Sequence, residues 1–491
     1  MPFLIVFFAG VLSVFAYAPF GLFPLIPVLW AILFFLLCRA PSSARAAALS
    51  FLWGFGALLA GICWLYIALN RYGGVSAPIS AILIALFCAA LAIYYALAGW
   101  AFFRLKHNVW WRDALLAAAI WTLSEWLRGA VFPAFPWLSM GYSQTPPSPL
   151  AGWVPLFGSY GTGFLLILIS ALLAAAVQEN SKRIHAILAI TAIILGGAVL
   201  RAVSWTQPVG PATRFALVQT NVAQEEKWQA DRGEDFLRLN YELLERNPAQ
   251  VVVFPETSLP YLIGQLPTGY LDALRELARA TKGDAIVGVI TQDNANGIYN
   301  SAVSLGVSPT QTYSKRHLVP FGEFRPYMFG WFYDLANIPM SDLARGPANQ
   351  PPLRIGGQRI AVDICYEDVF GEELLYALPE ATIMLNMSNL AWYGDSHAQP
   401  QHLQMERMRA METGRPMLSA TNTGMTAVID PHGQVTEVLP PFSDGVLKAD
   451  VRGYQGMTPY ARWGNWPVLV LAWSLVVWAV YCVARKNRSI R

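Results

Sequence analysis

Charge is scarce in this chain, and the scarcity limits what the chain can be. Only 13% of its 491 residues are charged against 55% that are hydrophobic, a balance too apolar for one soluble domain. The formal net charge is only +3, and the basic residues stand at the ends of apolar runs rather than in one patch, which argues against a nucleic-acid partner. Cysteine is scarce as well. Cys38, Cys63, Cys88 and Cys482 lie inside or at the edge of apolar runs, where a thiol serves as a small hydrophobe. Cys365 stands alone in the polar middle of the chain, so that region has no second cysteine for an internal disulfide. No metal-ligand spacing occurs, nor a glycine-rich phosphate loop ahead of a helix, and no cofactor or metal is expected.

What the chain has in excess is long apolar runs, gathered at its two ends. Crossing a bilayer takes roughly 20 apolar residues in a helix, and eight stretches are candidates: 3–20, 23–38, 49–69, 79–103, 113–131, 151–178, 185–203 and 465–484. The fifth contains Glu125 and Arg128, costly in lipid unless they face protein, pair with one another or lie near the interface. The first lacks a basic leader and runs into the second, so it reads as a retained span rather than a signal peptide. Lys and Arg in short loops favour the cytoplasmic side. With the N-terminus inside, the cytoplasmic connections hold Arg39 and Arg45, then Arg104, Lys106 and Arg112, then Lys182 and Arg183, and the tail adds Arg485, Lys486, Arg488 and Arg491. The expected organisation is a membrane domain at 1–205 with seven helices, an extracytoplasmic domain at 212–455, and an eighth span at 465–484 that returns the tail to the cytoplasm.

The middle block reads as short β-rich runs separated by helical segments. FALVQTN, VVVFPE, AIVGVI, SAVSLG, RIAVDICYED and TIMLNMSN look like strands with polar ends, and 272–280 and 397–413 look helical. An α/β layered domain follows, and such folds gather their chemistry past the C-terminal ends of buried strands. Three residues there supply complementary parts of one reaction: Glu256, Lys315 and Cys365. Each has a bland alternative: a solvated strand-end carboxylate, a solvated loop lysine, a structural cysteine. Together they form a set. A free thiol near its reference pKa of about 8.5 is mostly protonated at neutral pH and needs a base or a positive neighbour. Glu256 suits the base, and Lys315 suits both thiolate and oxyanion stabilisation. His317 and His402 are present, but neither is needed to complete the set.

These residues resemble those of the nitrilase, or carbon–nitrogen hydrolase, superfamily, whose triad is Glu, Lys and Cys in that order. The resemblance rests on FPE at 254–256, KRHLVPFGE at 315–323, CYED at 365–368, NMSNLAWYG at 386–394, RMRAMETGRP at 407–416 and TNTGMTAVIDPHG at 421–433. One departure is Leu390, where many relatives carry Asp. The segments at 124–144 and 219–228 are similar to those of the apolipoprotein N-acyltransferase family, and that likeness covers nearly the whole chain. The resemblance implies a multi-span α-helical membrane domain plus a nitrilase-like α-β-β-α sandwich. It also implies Glu256 as base, Lys315 at the oxyanion, Cys365 as nucleophile and Glu323 as a supporting glutamate, with Trp228, Tyr366, Glu367, Asn389 and Trp392 at the site.

The reaction implied is acyl transfer from a phospholipid, typically phosphatidylethanolamine, to Cys365. The acyl group then passes to the α-amino group of a diacylglyceryl-cysteine at a lipoprotein N-terminus. The resemblance further implies a bacterial inner-membrane enzyme with its catalytic domain on the periplasmic side, and a monomer is expected. Water must be kept from the thioester, and residues 324–343, with Met328, Phe329, Trp331 and Phe332, suit a lid resting on lipid; ordinary core packing is the alternative. Two other readings stay open: a membrane-tethered amidase or acyl hydrolase, and a transporter or channel with a non-catalytic domain.

Overall fold

A computed structural model describes residues 1–131, 134–227, 229–325 and 342–488. The chain divides into two compact units: Met1–Leu65, Ala77–Ser204 and Pro459–Arg491 form the first, Tyr66–Ser76 and Trp205–Thr458 the second.

The first unit is helical. Among the described residues, five of its helices are long and apolar enough to cross a membrane: Ser43–Ile62, Ala77–Leu105, Pro149–Gln178, Asn180–Leu200 and Trp466–Lys486. Two of the eight expected stretches form shorter helices, Pro2–Leu12 and Leu25–Cys38. Pro19, Gly21 and Pro24 interrupt the apolar run between them. At 1.5 Å per residue the 14 residues of the second cover only about 21 Å. Helix Trp110–Ala130 is long enough but carries Arg112, Asp113, Glu125 and Arg128. Glu125 and Arg128 pair at 3.7 Å and are buried in protein. Arg128 also donates to the carbonyls of Phe135 (2.6 Å) and Trp137 (2.9 Å), while Glu125 accepts from the Met140 amide at 2.9 Å. The two charges are thus paired with one another and hydrogen-bonded to backbone inside the helical unit. Small residues let the helices touch: a Cβ at Gly10 would lie 2.1 Å from the Trp53 carbonyl, and one at Gly56 would lie 2.5 Å from that of Phe7.

Among the described residues the second unit contains two sheets. In the first, β1 (Gln207–Gln219), β2 (Val251–Val253) and β4 (Asp284–Gln292) run parallel at the centre, with β3 (Leu259–Leu262) also paired to β4. Antiparallel flanks are β5 (Ile298–Gly306) and β6 (Thr312–Ser314) on one side and β13 (Gly445–Gln455) on the other. In the second sheet, β8 (Gln358–Ile364), β9 (Ile383–Ser388) and β10 (Met417–Thr421) are the parallel centre. They are flanked by β7 (Leu353–Ile355), β11 (Ala427–Ile429) and β12 (Val435–Val438).

Strand periodicity explains the layering. In β1, Phe215 and Leu217 point between the sheets, where they meet Val253 and Ile286 and, from the second sheet, Ile360, Val362, Leu385 and Leu418. Alternate residues Ala216 and Val218 point outward onto helices Gly233–Arg246 and Tyr270–Ala280, which supply Leu237, Leu244, Leu274 and Ala278. The outer face of the second sheet is polar instead. It presents buried Asp363, Asn386, Ser388 and Ser419, and helix Ala398–Thr413 answers with Glu406, which accepts from the Ser419 hydroxyl at 2.7 Å. The order of layers is α-β-β-α.

Candidate active site

The central parallel strands of both sheets deliver polar residues at their C-terminal ends, the position expected of α/β chemistry. Glu256 lies three residues past β2, Cys365 directly follows β8, Asn389 directly follows β9, and Lys315 follows β6 at the edge of the first sheet. Gly288 in β4 makes room for the Glu256 turn, because a Cβ there would lie 2.4 Å from the Thr257 amide nitrogen and 2.5 Å from the Pro255 carbonyl. The backbone is held in the left-handed region at Thr257 (φ 49°) and at Cys365 (φ 55°). For residues with a Cβ this conformation costs of order 1–3 kcal/mol each, so the surrounding contacts must enforce it.

Those contacts are visible. The Lys315 ammonium is 1% exposed, sits 2.8 Å from Glu323 Oε1 and 3.4 Å from Glu256 Oε1, and is held between the two carboxylates. Asn300 Nδ2 donates to the same pair, at 2.7 Å to Glu256 Oε1 and 3.3 Å to Glu323 Oε1. The second Glu256 oxygen accepts from the Asn389 amide at 2.7 Å, and Glu323 Oε2 accepts from the Val319 amide at 2.8 Å. The Glu256 backbone carbonyl accepts from the buried Lys227 ammonium at 3.0 Å. The Cys365 carbonyl is held by Asn386 Nδ2 at 3.0 Å, with His402 Nε2 at 3.4 Å.

The charges decide the resting protonation state. Burial works against the Lys315 charge, but Glu323 and Glu256 outweigh it and hold the ammonium well above its ordinary pKa. Half-buried Cys365 is held neutral instead: burial and the nearby Glu256 push its thiol well above the ordinary value, and Lys315 only partly offsets them. The resting sulfur is therefore a protonated thiol rather than the thiolate that its neighbours first suggest. A nucleophilic role for this sulfur requires that its proton leave during attack.

Two family models divide the chain: the apolipoprotein N-acyltransferase N-terminal domain matches residues 9–172, and carbon-nitrogen hydrolase matches residues 214–459. The chain is 43% identical to the apolipoprotein N-acyltransferase of Nitrosomonas europaea across 96% of this chain and 95% of that one. It is 42% identical to that of Chromobacterium violaceum across 98% and 93%. The chain belongs to the apolipoprotein N-acyltransferase family. Among solved structures, the amidase from Nesterenkonia sp. aligns at 20% identity and a TM-score of 0.38 over 53% of this chain and 97% of that one.

Not every residue expected at the family's site stands where the sequence suggests. The structure brings together Glu256, Lys315, Cys365, Glu323 and the backbone of Asn389, while Trp228 and the expected lid residues Met328, Phe329, Trp331 and Phe332 lie outside the described residues. Trp392 is 39% exposed and meets Tyr72 edge-on at 5.5 Å. Tyr366 is buried and packs edge-on against Phe370 at 5.2 Å. Glu367 lies two residues past Cys365. Its carboxylate is buried and saturated by the amides of Ile364 (2.7 Å), Arg316 (2.7 Å) and His317 (3.1 Å), together with the Tyr313 hydroxyl at 2.9 and 3.0 Å. It ties the backbone around Lys315 to the backbone around Cys365.

Behind Cys365 stands a second buried group, Asp368, His402 and Glu406. Both ring nitrogens of His402 face carboxylates, Asp368 at 3.5 Å and Glu406 at 3.4 Å. Burial opposes the charge, but these two anions push the imidazole up to about 9. Through the contact between His402 Nε2 and the Cys365 carbonyl (3.4 Å), the group braces the turn carrying Cys365. Sequence reasoning missed Asn300, Lys227 and this brace. An asparagine inside a strand and a lysine among charged neighbours carry no local signal of burial.

Proposed function

We propose that this chain is an integral membrane apolipoprotein N-acyltransferase that works by a ping-pong route through a thioester on Cys365. In the first half-reaction Glu256 takes the thiol proton as Sγ attacks the ester carbonyl of a phospholipid. The Lys315 ammonium faces the oxygen that becomes negative, a contribution of about 3–4 kcal/mol when one such donor is removed. Glu256 then returns the proton to the leaving lysolipid oxygen. In the second half the α-amino group of a diacylglyceryl-cysteine attacks the thioester, the N–C bond forms, the C–S bond breaks, and Cys365 recovers a proton through Glu256. Phosphatidylethanolamine is the proposed donor, and the enzyme acts as a monomer without a cofactor.

What carries this reading is one buried ammonium, Lys315, clasped by Glu256 and Glu323 and acting on a cysteine whose backbone is set in the left-handed region. For topology the proposal is eight spans, with the membrane domain at 1–205, the catalytic domain at 212–455 on the periplasmic side of the bacterial inner membrane, and the last span at 465–484. Its support is the concentration of Arg39, Arg45, Arg104, Lys106, Arg112, Lys182 and Arg183 in alternate connections. Tethering to the bilayer keeps the catalytic domain at high effective concentration with two lipid substrates.

The test is transfer of a labelled acyl chain from phosphatidylethanolamine to a synthetic diacylglyceryl-cysteine lipopeptide in detergent micelles. The lipopeptide should gain the mass of one acyl chain with the wild type and none with Cys365→Ser. Release of free fatty acid with the lipopeptide unchanged would make the protein a hydrolase instead.

A further inference from the structure

Behind the nucleophile, the outer face of the second sheet buries more oxygen acceptors than it has donors to meet them. Asp368 stands in the turn after β8, and His402 and Glu406 stand on helix Ala398–Thr413, where a spacing of four residues puts them on one face. All three are at most 2% exposed. Among the described residues no hydrogen bond reaches either Asp368 oxygen, Glu406 Oε2, Asp363 Oδ2 or Asn386 Oδ1, although every one of these residues is buried. Asp363 belongs to the same group, since burial and the Asp368 charge push its carboxyl well above the ordinary range and Glu406 adds to the effect. A buried acceptor without a donor bears the full desolvation cost of the group, and folded proteins leave few such atoms without a water or an ion to meet them.

The neighbouring charges do not close this gap. Glu367 is saturated by the donors given above, and Arg409 is paired with Glu412 at 3.1 Å. His402 has to serve both Asp368, at 3.5 Å from Nε2, and Glu406, at 3.4 Å from Nδ1, and both distances exceed an ordinary hydrogen bond. We propose that Asp368, His402 and Glu406 form a structural Zn2+ site that ties the turn carrying Cys365 to helix Ala398–Thr413.

The geometry suits such an ion. One donor atom from each of the three residues lies within 4.8 Å of the others. Ligands held at about 2.0–2.2 Å by a tetrahedral Zn2+ stand roughly 3.3 Å apart, and His402 Nε2 is already 3.5 Å from Asp368 Oδ1 and 3.4 Å from the Cys365 carbonyl. One imidazole with two carboxylates is a donor set for Zn2+. Ca2+ takes about 6–8 oxygens and Mg2+ keeps several waters, neither of which fits so buried a group. Binding sends the imidazole proton to solvent, so the ion takes over from that charge in holding the two carboxylates and tightens its grip as pH rises toward about 9. The ion takes no part in acyl transfer; it fixes the turn in which Cys365 is held at φ 55°. The sequence gives no signal of the site, because only the fold brings Asp368 to the helix.

This inference does not rest on the thioester route, and its test is read without activity. Full-length Cys365→Ser protein in detergent micelles, in which the nucleophile's sulfur cannot hold the ion, is stripped with a chelator at pH 8. It is then titrated with Zn2+, with metal content read by elemental analysis after equilibrium dialysis and stability read as the thermal midpoint. The expected result is one Zn2+ per chain, removable by chelator, and a midpoint raised by about 5–11 °C at a hundredfold excess over Kd. Asp368→Asn and Glu406→Gln, added to the same background, keep side-chain shape and should weaken uptake by at least about tenfold, the loss that follows removal of even an outer partner of a metal ligand. Glu406→Gln also keeps an acceptor for the Ser419 hydroxyl and is the milder change should Asp368→Asn fail to fold. No chelator-sensitive uptake with an unmoved midpoint overturns the proposal, and so does undiminished uptake in the folded variants, which would put the ion elsewhere. A midpoint raised as far by Ca2+ as by Zn2+ at equal concentration overturns the assignment of the ion.

Discussion

Replacing Glu367 by glutamine changes one oxygen to an NH2 group in a site built entirely of donors. The cheaper orientation puts the new NH2 where Oε2 now accepts from the Ile364 amide (2.7 Å), keeping Oε1 for Arg316 and His317; the other orientation orphans both of those amides. A hydrogen bond to a charged group contributes about 1.5–3 kcal/mol, and a buried amide left facing a donor bears its desolvation cost as well. We therefore expect Glu367→Gln to destabilise the catalytic unit by about 2–4 kcal/mol. At roughly 2–4 °C per kcal/mol for a domain of this size, that lowers the thermal midpoint by about 4–16 °C, read by intrinsic fluorescence at a fixed scan rate. Thioester loading should fall with it, because the carboxylate joins the backbone at Lys315 to that at Cys365. Tyr313→Phe removes only the hydroxyl donor, leaves the three amides satisfied, and should cost about 1 kcal/mol. A Glu367→Gln protein with the wild-type midpoint and no loading would refute the reasoning, since the carboxylate would then be acting on substrate.

Cys365→Gly and Cys365→Ala should both abolish activity, but only glycine relieves the left-handed backbone at this position; the glycine variant should be the more stable of the two by about 1 kcal/mol in denaturant titration. Gly288→Ala drives a methyl against the Thr257 amide and the Pro255 carbonyl, and should slow loading at least tenfold at an overpacking cost of about 1–3 kcal/mol; wild-type loading would mean that the Glu256 turn is free to shift. Because the folded-state pKa of the Cys365 thiol is raised, alkylation by iodoacetamide should be slow at neutral pH and climb only above the ordinary thiol range, whereas rapid stoichiometric alkylation at pH 7 would show a resting thiolate. By the same sign, the protonated thiol's contribution to folding is complete below about pH 8.5 and is lost as pH rises toward the raised value, so Cys365→Ala should flatten the alkaline loss of stability.

The strands around the site are legible because their apolar runs are short, bounded by polar residues and rich in Val and Ile: VVV, AIVGVI and RIAVDI fall in β2, β4 and β8. The residues past their ends are legible as candidates for the same reason. The conformation of Cys365 is not, because nothing local in RIAVDICYED demands a positive φ; Asn386 and His402, 21 and 37 residues away, hold its carbonyl. The hydrogen bonds of Glu367 are not legible either, because its donors Tyr313, Arg316 and His317 lie 50 or more residues away in the chain. Lys227 follows two glutamates in QEEKW, and its burial arises from tertiary contacts with Glu256 and Thr257. In the helical unit, hydropathy alone does not show where the first two helices, Pro2–Leu12 and Leu25–Cys38, begin and end; Pro19, Gly21 and Pro24 separate them.

The measurement that bears most directly on the thioester route is the intact mass of the purified protein after incubation with phosphatidylethanolamine of a single acyl composition. The wild type should gain one fatty-acyl mass that hydroxylamine removes, and Cys365→Ser should gain no hydroxylamine-labile adduct. A labile adduct of the same mass on Cys365→Ser, or its absence from a wild type that still modifies the lipopeptide, would contradict the assignment of Cys365 as the acyl carrier.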